Sequence, residues 1–467
     1  MAQKTLVVHG EPRMDENAAM NLGTSTDAAA LHGRLGSSAM EPSNEPAPIT
    51  PASDRRTELD FMRAFVVAGL IVFHSAVVFA WGTSWFVNDS HPSVGFSVFL
   101  AWGSLWGMPL LFVVSGMGVR YALRTRSARA FVKERVARLL LPFIVGLVVL
   151  VPPMFYLDRI GEPGFHQSYL RFWARFLDVP AIGSGLLSHG SWGEFDPAHT
   201  WFLYVLFLWS IILLPLFLYL QRPQGRVLVD RAAGFAERNA SLLLFGAAIP
   251  VVIVEAVLGP DVDTGGWERL AYLFFLLYGY LIASDRRFEA AMSRARRPAL
   301  ACALTSTVAL VFLVGVLGES GTDIANGGSA GLSALQGLAG WLWVVSIMGF
   351  VGSLLGRRGR RSPVDAPSPS PKPRTRWRRA SRHANEAVLP FYILHEPVIV
   401  AAAWVIVRWD APILAKYLAL VIVSSAITLG VYEALVRPFR VTRILFGMKP
   451  SPGRLPSRGL FDAERKV

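Results

Sequence analysis

The sequence predicts an all-α integral membrane protein of about ten transmembrane helices with its N and C termini in the cytoplasm. Three observations predict it. Apolar residues gather into repeated blocks of about 18 to 24, the length that crosses a hydrocarbon core. The chain is 53% hydrophobic and only 17% charged. Its Lys and Arg residues fall between the blocks on alternate sides, about 34 on one side against about four on the other, which is the bias that sets membrane orientation. The formal charge of +13 therefore reads as topogenic charge, and nucleic acid is not expected as a partner.

Residues 1–56 are rich in Ala, Ser, Pro, Gly and Glu without apolar periodicity and read as a disordered cytoplasmic tail with no signal-peptide core. A membrane domain is expected over 57–440, with spans near 61–82, 94–119, 139–157, 200–220, 241–258, 268–284, 299–317, 332–355, 388–407 and 413–436. The stretch 357–386, a Pro/Ser/Arg run, reads as a disordered cytoplasmic linker, and 441–467 as a basic cytoplasmic tail. The long connection from Asp158 to His199 is aromatic, Gly-rich and acidic, and could line an outward-facing opening. No internal repeat stands out, which disfavours a secondary transporter. Cys302 is the single cysteine, so disulfides and cysteine metal clusters are excluded.

The polar residues inside spans carry the functional expectation, because each is expensive there. Arg63 and His74 lie eleven residues apart, roughly three turns plus 20°, and so share a helix face about 16 Å apart. His74 stands about 20 Å from the cytoplasmic end. A neutral imidazole at that depth either bonds a neighbouring helix or acts as a general base that takes a proton from an attacking hydroxyl. Arg63 is either a snorkelling interfacial residue or a clasp for a phosphate. Ser115, in PLLFVVSGMGVR, reads as helix packing beside Gly116, or as a nucleophile if a base adjoins it. Arg135 and Arg138, three apart, are topogenic charge or a phosphate clamp. His199 and Trp201 open the fourth span at the outer surface, Trp201 in the aromatic belt, with an acceptor-side role open to His199. Glu255 lies about as deep as His74 and needs a partner. His395 and Glu396 lie about 12 Å into the ninth span and read first as helix-to-helix hydrogen bonds.

Taken in order, Arg63-x10-His74, PLLFVVSGMGVR, RVARLLLP at Arg135 to Pro142, HTWFL at His199 to Leu203 and FYILHEPV near the last pair of spans resemble the membrane-bound acyltransferase family 3. That family includes O-acetylases of bacterial surface polysaccharides and glucan succinyltransferases. The usual Leu of its H-x-W-F-L motif is Thr200 here. The resemblance implies transfer of an acyl group, acetyl or succinyl, from cytoplasmic acyl-CoA to a hydroxyl of a carbohydrate-type acceptor at the outer face of a bacterial cytoplasmic membrane. Acyl-CoA enters as donor substrate, with no bound cofactor or metal and with membrane lipid as surroundings. His74 is the implied catalytic residue and Arg63 its partner in the motif. Arg63, Ser115, Arg135 and Arg138 are expected on the donor side, and His199, Trp201, Glu255 and His395 on the acceptor side or in support. The rival expectations are a transporter or flippase of a polar or lipid-linked substrate, and a noncatalytic membrane scaffold.

Overall fold

A computed structural model describes residues 52–177, 196–239, 242–261, 264–317, 329–359 and 372–449. Among the described residues all regular structure is helical, apart from one isolated bridge between Ala80 and Ser93. Six helices are long and apolar enough to cross a membrane, or seven if the pair Ala198–Ile212 and Leu214–Leu220, bent by 50°, forms one span. Three shorter apolar helices, Met62–Val77, Leu243–Leu258 and Arg269–Ser284, fall on the other stretches read as spans. By length and composition this is a multi-span protein, with six or seven full-length crossings among the described residues and the three shorter helices on the remaining stretches. Proline breaks one of these stretches. Pro215 follows the bend that splits the fourth stretch, because its ring removes a donor and collides with the preceding turn.

The chain opens with α1 (Ala52–Val77), α2 (Val94–Thr125) and α3 (Ala128–Arg159), and the long C-terminal helix α12 (Lys372–Ile406) packs on α1. Between α3 and α12 run α4 (Tyr169–Phe176), α5 (Ala198–Ile212), α6 (Leu214–Leu220), α7 (Pro223–Arg238), α8 (Leu243–Leu258), α9 (Arg269–Ser284), α10 (Arg286–Leu317) and α11 (Ala330–Gly359). After α12 come α13 (Ile413–Val436) and α14 (Arg440–Leu445). Ser93 caps α2 by accepting from the Gly95 amide at 3.3 Å, and Ser127 caps α3 from the Ala130 amide at the same distance. Within α3, wide turns at Val136–Leu140 and Gly146–Leu150 come just before Pro142 and Pro152, and each lets the chain pass a residue that cannot donate to the turn before it.

Helix α1 lies between α2 and α12, α2 also packs on α9, and α10 pairs with α11. Large aromatics fill the contacts. Phe112 of α2 stacks on Tyr272 of α9 with ring centres 4.3 Å apart, and Phe217 stacks on Tyr280 at 4.4 Å.

Several expected boundaries move. Helix α1 begins at Ala52, inside the stretch read as a tail, while 1–51 lie outside the described residues. Helix α12 begins at Lys372, so 372–386 are helical where an unfolded linker was expected. Pro and Ser dominate before that point, and Pro373 sits in the first turn, where its missing amide costs nothing. Residues 360–371 and 450–467 lie outside the described residues, and helix α14 occupies the start of the stretch read as a basic tail.

The turn after α1 is fastened to the start of α13. Lys416 Nζ donates to Asp89 Oδ2 at 2.8 Å and to the Val407 carbonyl at 3.1 Å, and both charged side chains are buried. Asp89→Ala leaves the ammonium buried with a single carbonyl partner, so a loss of about 3–5 kcal/mol is expected. Replacing both residues by Leu together should recover much of it. Melting of the two variants in detergent checks this, and an unchanged Asp89→Ala midpoint rules out the fastening.

Candidate active site

The site is assembled from α1, α5 and α12. His74 lies near the end of α1, where its Nδ1 stands 3.0 Å from the Leu70 carbonyl one turn back. Helix α12 contributes Tyr392, His395 and Glu396, spaced to share one face toward α1. His395 Nδ1 stands 2.5 Å from the Tyr392 carbonyl, and its Nε2 is 3.2 Å from His74 Nδ1. Glu396 Oε2 is 3.7 Å from His74 Nε2 and 3.6 Å from His199 Nδ1.

His199 is delivered by the turn Asp196-Pro197-Ala198 that opens α5. Asp196 Oδ1 accepts from the Ala198 amide at 2.7 Å, and Thr200 Oγ1 donates to the Pro197 carbonyl at 2.6 Å. Ala198 takes φ +47°, the left-handed conformation that side chains other than Gly disfavour and that gathers at functional sites. The result turns His199 inward, where its Nε2 is 2.9 Å from the Ile393 carbonyl and its backbone carbonyl accepts from the Tyr392 hydroxyl. Thr200, in place of the bulkier Leu, packs its methyl toward Gly146 of α3.

Partners assign the tautomers, because a carbonyl oxygen only accepts. His74 Nδ1 carries the proton that faces Leu70 and the lone pair of His395 Nε2. His395 Nδ1–H donates to Tyr392, and His199 Nε2–H donates to Ile393. That leaves the lone pairs of His74 Nε2 and His199 Nδ1 directed at one carboxyl oxygen of Glu396. His199 Nδ1 is buried with no hydrogen-bond partner. Three acceptors meeting at one point need a proton or a proton donor there. A substrate hydroxyl supplies one. His199, His395 and Glu396 are buried, whereas the His74 side chain keeps 21% exposure, which makes His74 the member that a substrate can reach.

An apolar cavity of about 490 Å³ leads to this cluster between α1 and α2, with His74, His199 and Tyr392 in its lining. His74, His395 and Glu396 also have ligand atoms within 4.8 Å of one another, a spacing compatible with a metal ion. A metal would have to displace His395 Nε2 from His74 Nδ1 or take His74 through Nε2 alone.

The structure joins His74, His199, His395 and Glu396 and keeps the other expected residues apart. Arg63 is not in the cavity lining: its guanidinium donates to the Val114 carbonyl of α2 at 3.2 Å and lies over Gly118. Arg135 stands over the Phe131 ring at 4.7 Å with a buried Nε that has no hydrogen-bond partner, close enough to Arg63 and Arg138 to feel both charges. Arg138 faces Glu134 at 3.6 Å. Ser115 has no hydrogen bond to a base among the described residues, and its neighbour Gly116 packs under α9. Trp201, expected in an interfacial belt, is buried in the cavity wall against Tyr272, ring centres 5.4 Å apart. Glu255 belongs elsewhere, its Oε1 accepting from the Glu268 amide at 3.0 Å. Glu396 and Tyr392 are the members of the candidate site that the sequence reading left without a site role. Their signal was the Tyr-x-x-His-Glu spacing, which puts three polar groups on one face of an apolar helix.

A family model described as Acyltransferase domain, acyltransferase family 3, matches residues 56–433. Proteins named Glucans biosynthesis protein C from Salmonella schwarzengrund (strain CVM19633), Salmonella heidelberg (strain SL476) and Salmonella typhi are each 24% identical to this chain over 284 residues. The match covers 58% of this chain and 66% of each relative, so it spans just under two thirds of their length. No solved structure matches the chain.

Proposed function

We propose a function on one premise: the chain belongs to acyltransferase family 3 and is a multi-span membrane acyltransferase. In this reading it moves an acyl group from cytoplasmic acyl-CoA to a hydroxyl of a carbohydrate-type acceptor at the outer face of the cytoplasmic membrane. The resemblance offers acetyl or succinyl as that group. The observation that carries the reading is His74 in the lining of a cavity, its Nδ1 at 3.0 Å from the Leu70 carbonyl and its Nε2 facing buried Glu396 at 3.7 Å. The acceptor hydroxyl gives its proton to His74 Nε2 as its oxygen bonds to the thioester carbon. The carbon–sulfur bond then breaks, and the coenzyme A thiolate leaves with the proton from the imidazolium. Glu396 stabilises that imidazolium by charge, and His395 with the Leu70 carbonyl keeps the Nδ1 proton in place.

The direction of the chain follows from the basic bias, about 34 against about four residues, which puts the arginine-bearing ends of α2 and α3 inside. Purified protein given labelled acyl-CoA and cell-envelope glycans should release free coenzyme A and label the glycan. A transporter or flippase would release none.

The buried, unsatisfied Nε of Arg135 supports an anionic arm of the donor bound beside Arg63 and Arg138. One charge-assisted hydrogen bond is worth about 1.5–3 kcal/mol, so Arg135→Ala should raise the donor KM roughly tenfold to a hundredfold and leave the acceptor KM alone. Lys at that position should rescue only partly, since it loses the planar fork. An unchanged donor KM would show these arginines to be topogenic anchors.

A further inference from the structure

We propose that the acyl group this enzyme transfers is an uncharged hydrocarbon chain longer than acetyl, and that the cavity between α1 and α2 holds it. The proposal rests on the acyl-CoA reading above and narrows its acyl group away from acetyl and succinyl.

The cavity is built from two facing stripes. On α1 they are Phe65, Ala68, Gly69 and Val72, spaced three and four apart, and on α2 Phe99, Trp102, Gly103, Trp106 and Gly107 at the same helical period. Each stripe alternates aromatic walls with small residues, which hold two helices apart and leave a slot. Among the described residues lining it there is no Lys, Arg, Asp or Glu. A succinyl group would bring a carboxylate into this slot with nothing to pair it, and burying an unpaired charge is strongly opposed. An acetyl group would leave most of it empty. About 490 Å³ is room for roughly sixteen waters at ~30 Å³ each, and an apolar space of that size is better filled by hydrocarbon.

Position selects the donor over the acceptor as occupant. The slot covers the part of α1 between Arg63 and His74, the side of the base from which the donor arrives, and its inner end is lined by His74 and His199. A thioester carbon held at His74 therefore has a chain-shaped space beside it. Phe65 is 65% exposed and Val72 is 37% exposed on the same stripe, so in a bilayer the slot opens toward lipid, where the tail of a chain can extend.

Two glycines allow a clean test. A Cβ added at Gly69 or Gly107 would meet no atom within 4 Å, so a larger residue at either position begins in open space on the slot wall. The wild-type protein in lipid nanodiscs is given acetyl-, butyryl-, hexanoyl-, octanoyl- and succinyl-CoA, and both donor Kd and coenzyme A release are measured. Each methylene moved out of water is worth about fourfold in affinity, the equivalent of ~0.8 kcal/mol. Octanoyl-CoA should therefore bind at least tenfold more tightly than acetyl-CoA, and succinyl-CoA should bind most weakly. In Gly69→Phe and Gly107→Leu the octanoyl-to-acetyl affinity ratio should fall by tenfold or more, with the melting midpoint in nanodiscs reporting that each variant is folded. Equal affinity for acetyl and octanoyl donors overturns the proposal. So does an equal loss for every donor in the variants, which would assign the slot to the pantetheine arm or to an acceptor lipid. If no acyl-CoA of any length binds or releases coenzyme A, the acyl-CoA reading itself has failed and the proposal with it.

Discussion

His74→Ala is expected to lower kcat by about 10²–10⁴-fold, the usual contribution of a positioned base, while expression and melting stay close to wild type. The side chain is partly exposed and bounds a cavity, so its removal enlarges an existing space and does not open a new void in packed core. Glu396→Gln keeps the volume and removes the carboxyl group that faces Nε2, so it should cut kcat by tenfold or more with the donor KM held. The pair separates a chemical role from a structural one. If His74→Ala keeps more than a tenth of its activity, the base is another group, and His199 Nδ1, buried and unpartnered, is the next to replace.

Gly279→Leu is expected to leave little folded protein, and Gly279→Ala to lower the melting midpoint clearly. Helices α2 and α9 meet through glycines on both sides: an added Cβ at Gly279 runs into the Val113 carbonyl oxygen, and one at Gly116 into the Leu276 carbonyl oxygen. Both obstacles are backbone, so no rotamer change relieves them and the helices must separate. Overpacking a core costs about 1–3 kcal/mol when side chains can yield, and here they cannot. Separation would also pull apart the Phe112–Tyr272 stack that supports Trp201 in the cavity wall. Gly69→Ala, which meets nothing within 4 Å, is the control and should melt as wild type. Equal melting of Gly279→Ala and Gly69→Ala would show that the α2–α9 contact tolerates separation.

Much of the site could be read in the chain because intramembrane polar residues are costly and so stand out. His74 emerged this way and lies at the centre of the observed cluster. His199, read as interfacial, is buried, because the Asp196-Pro197-Ala198 turn rotates it inward; a strained φ at an alanine leaves no mark in composition. Glu255, a carboxylate in need of a partner, and Glu396, read with His395 as a helix-to-helix hydrogen bond, both sit in apolar helices. One binds the Glu268 amide and the other faces two histidines, a difference that depends on which helix packs beside each.

The sequence by itself determined the all-helical membrane class, the basic bias and the acyltransferase resemblance. These rest on residue type and local spacing, where burial of charge in lipid and helical period leave few choices. Only the tertiary structure decided that His395 Nε2 meets His74 Nδ1 across 321 residues of chain, that Arg63 reaches α2 and not the cavity, and that two glycine-bearing stripes enclose an apolar slot beside the base. Such pairings depend on helix rotation and register, which are set by packing between helices and are not encoded in any one of them.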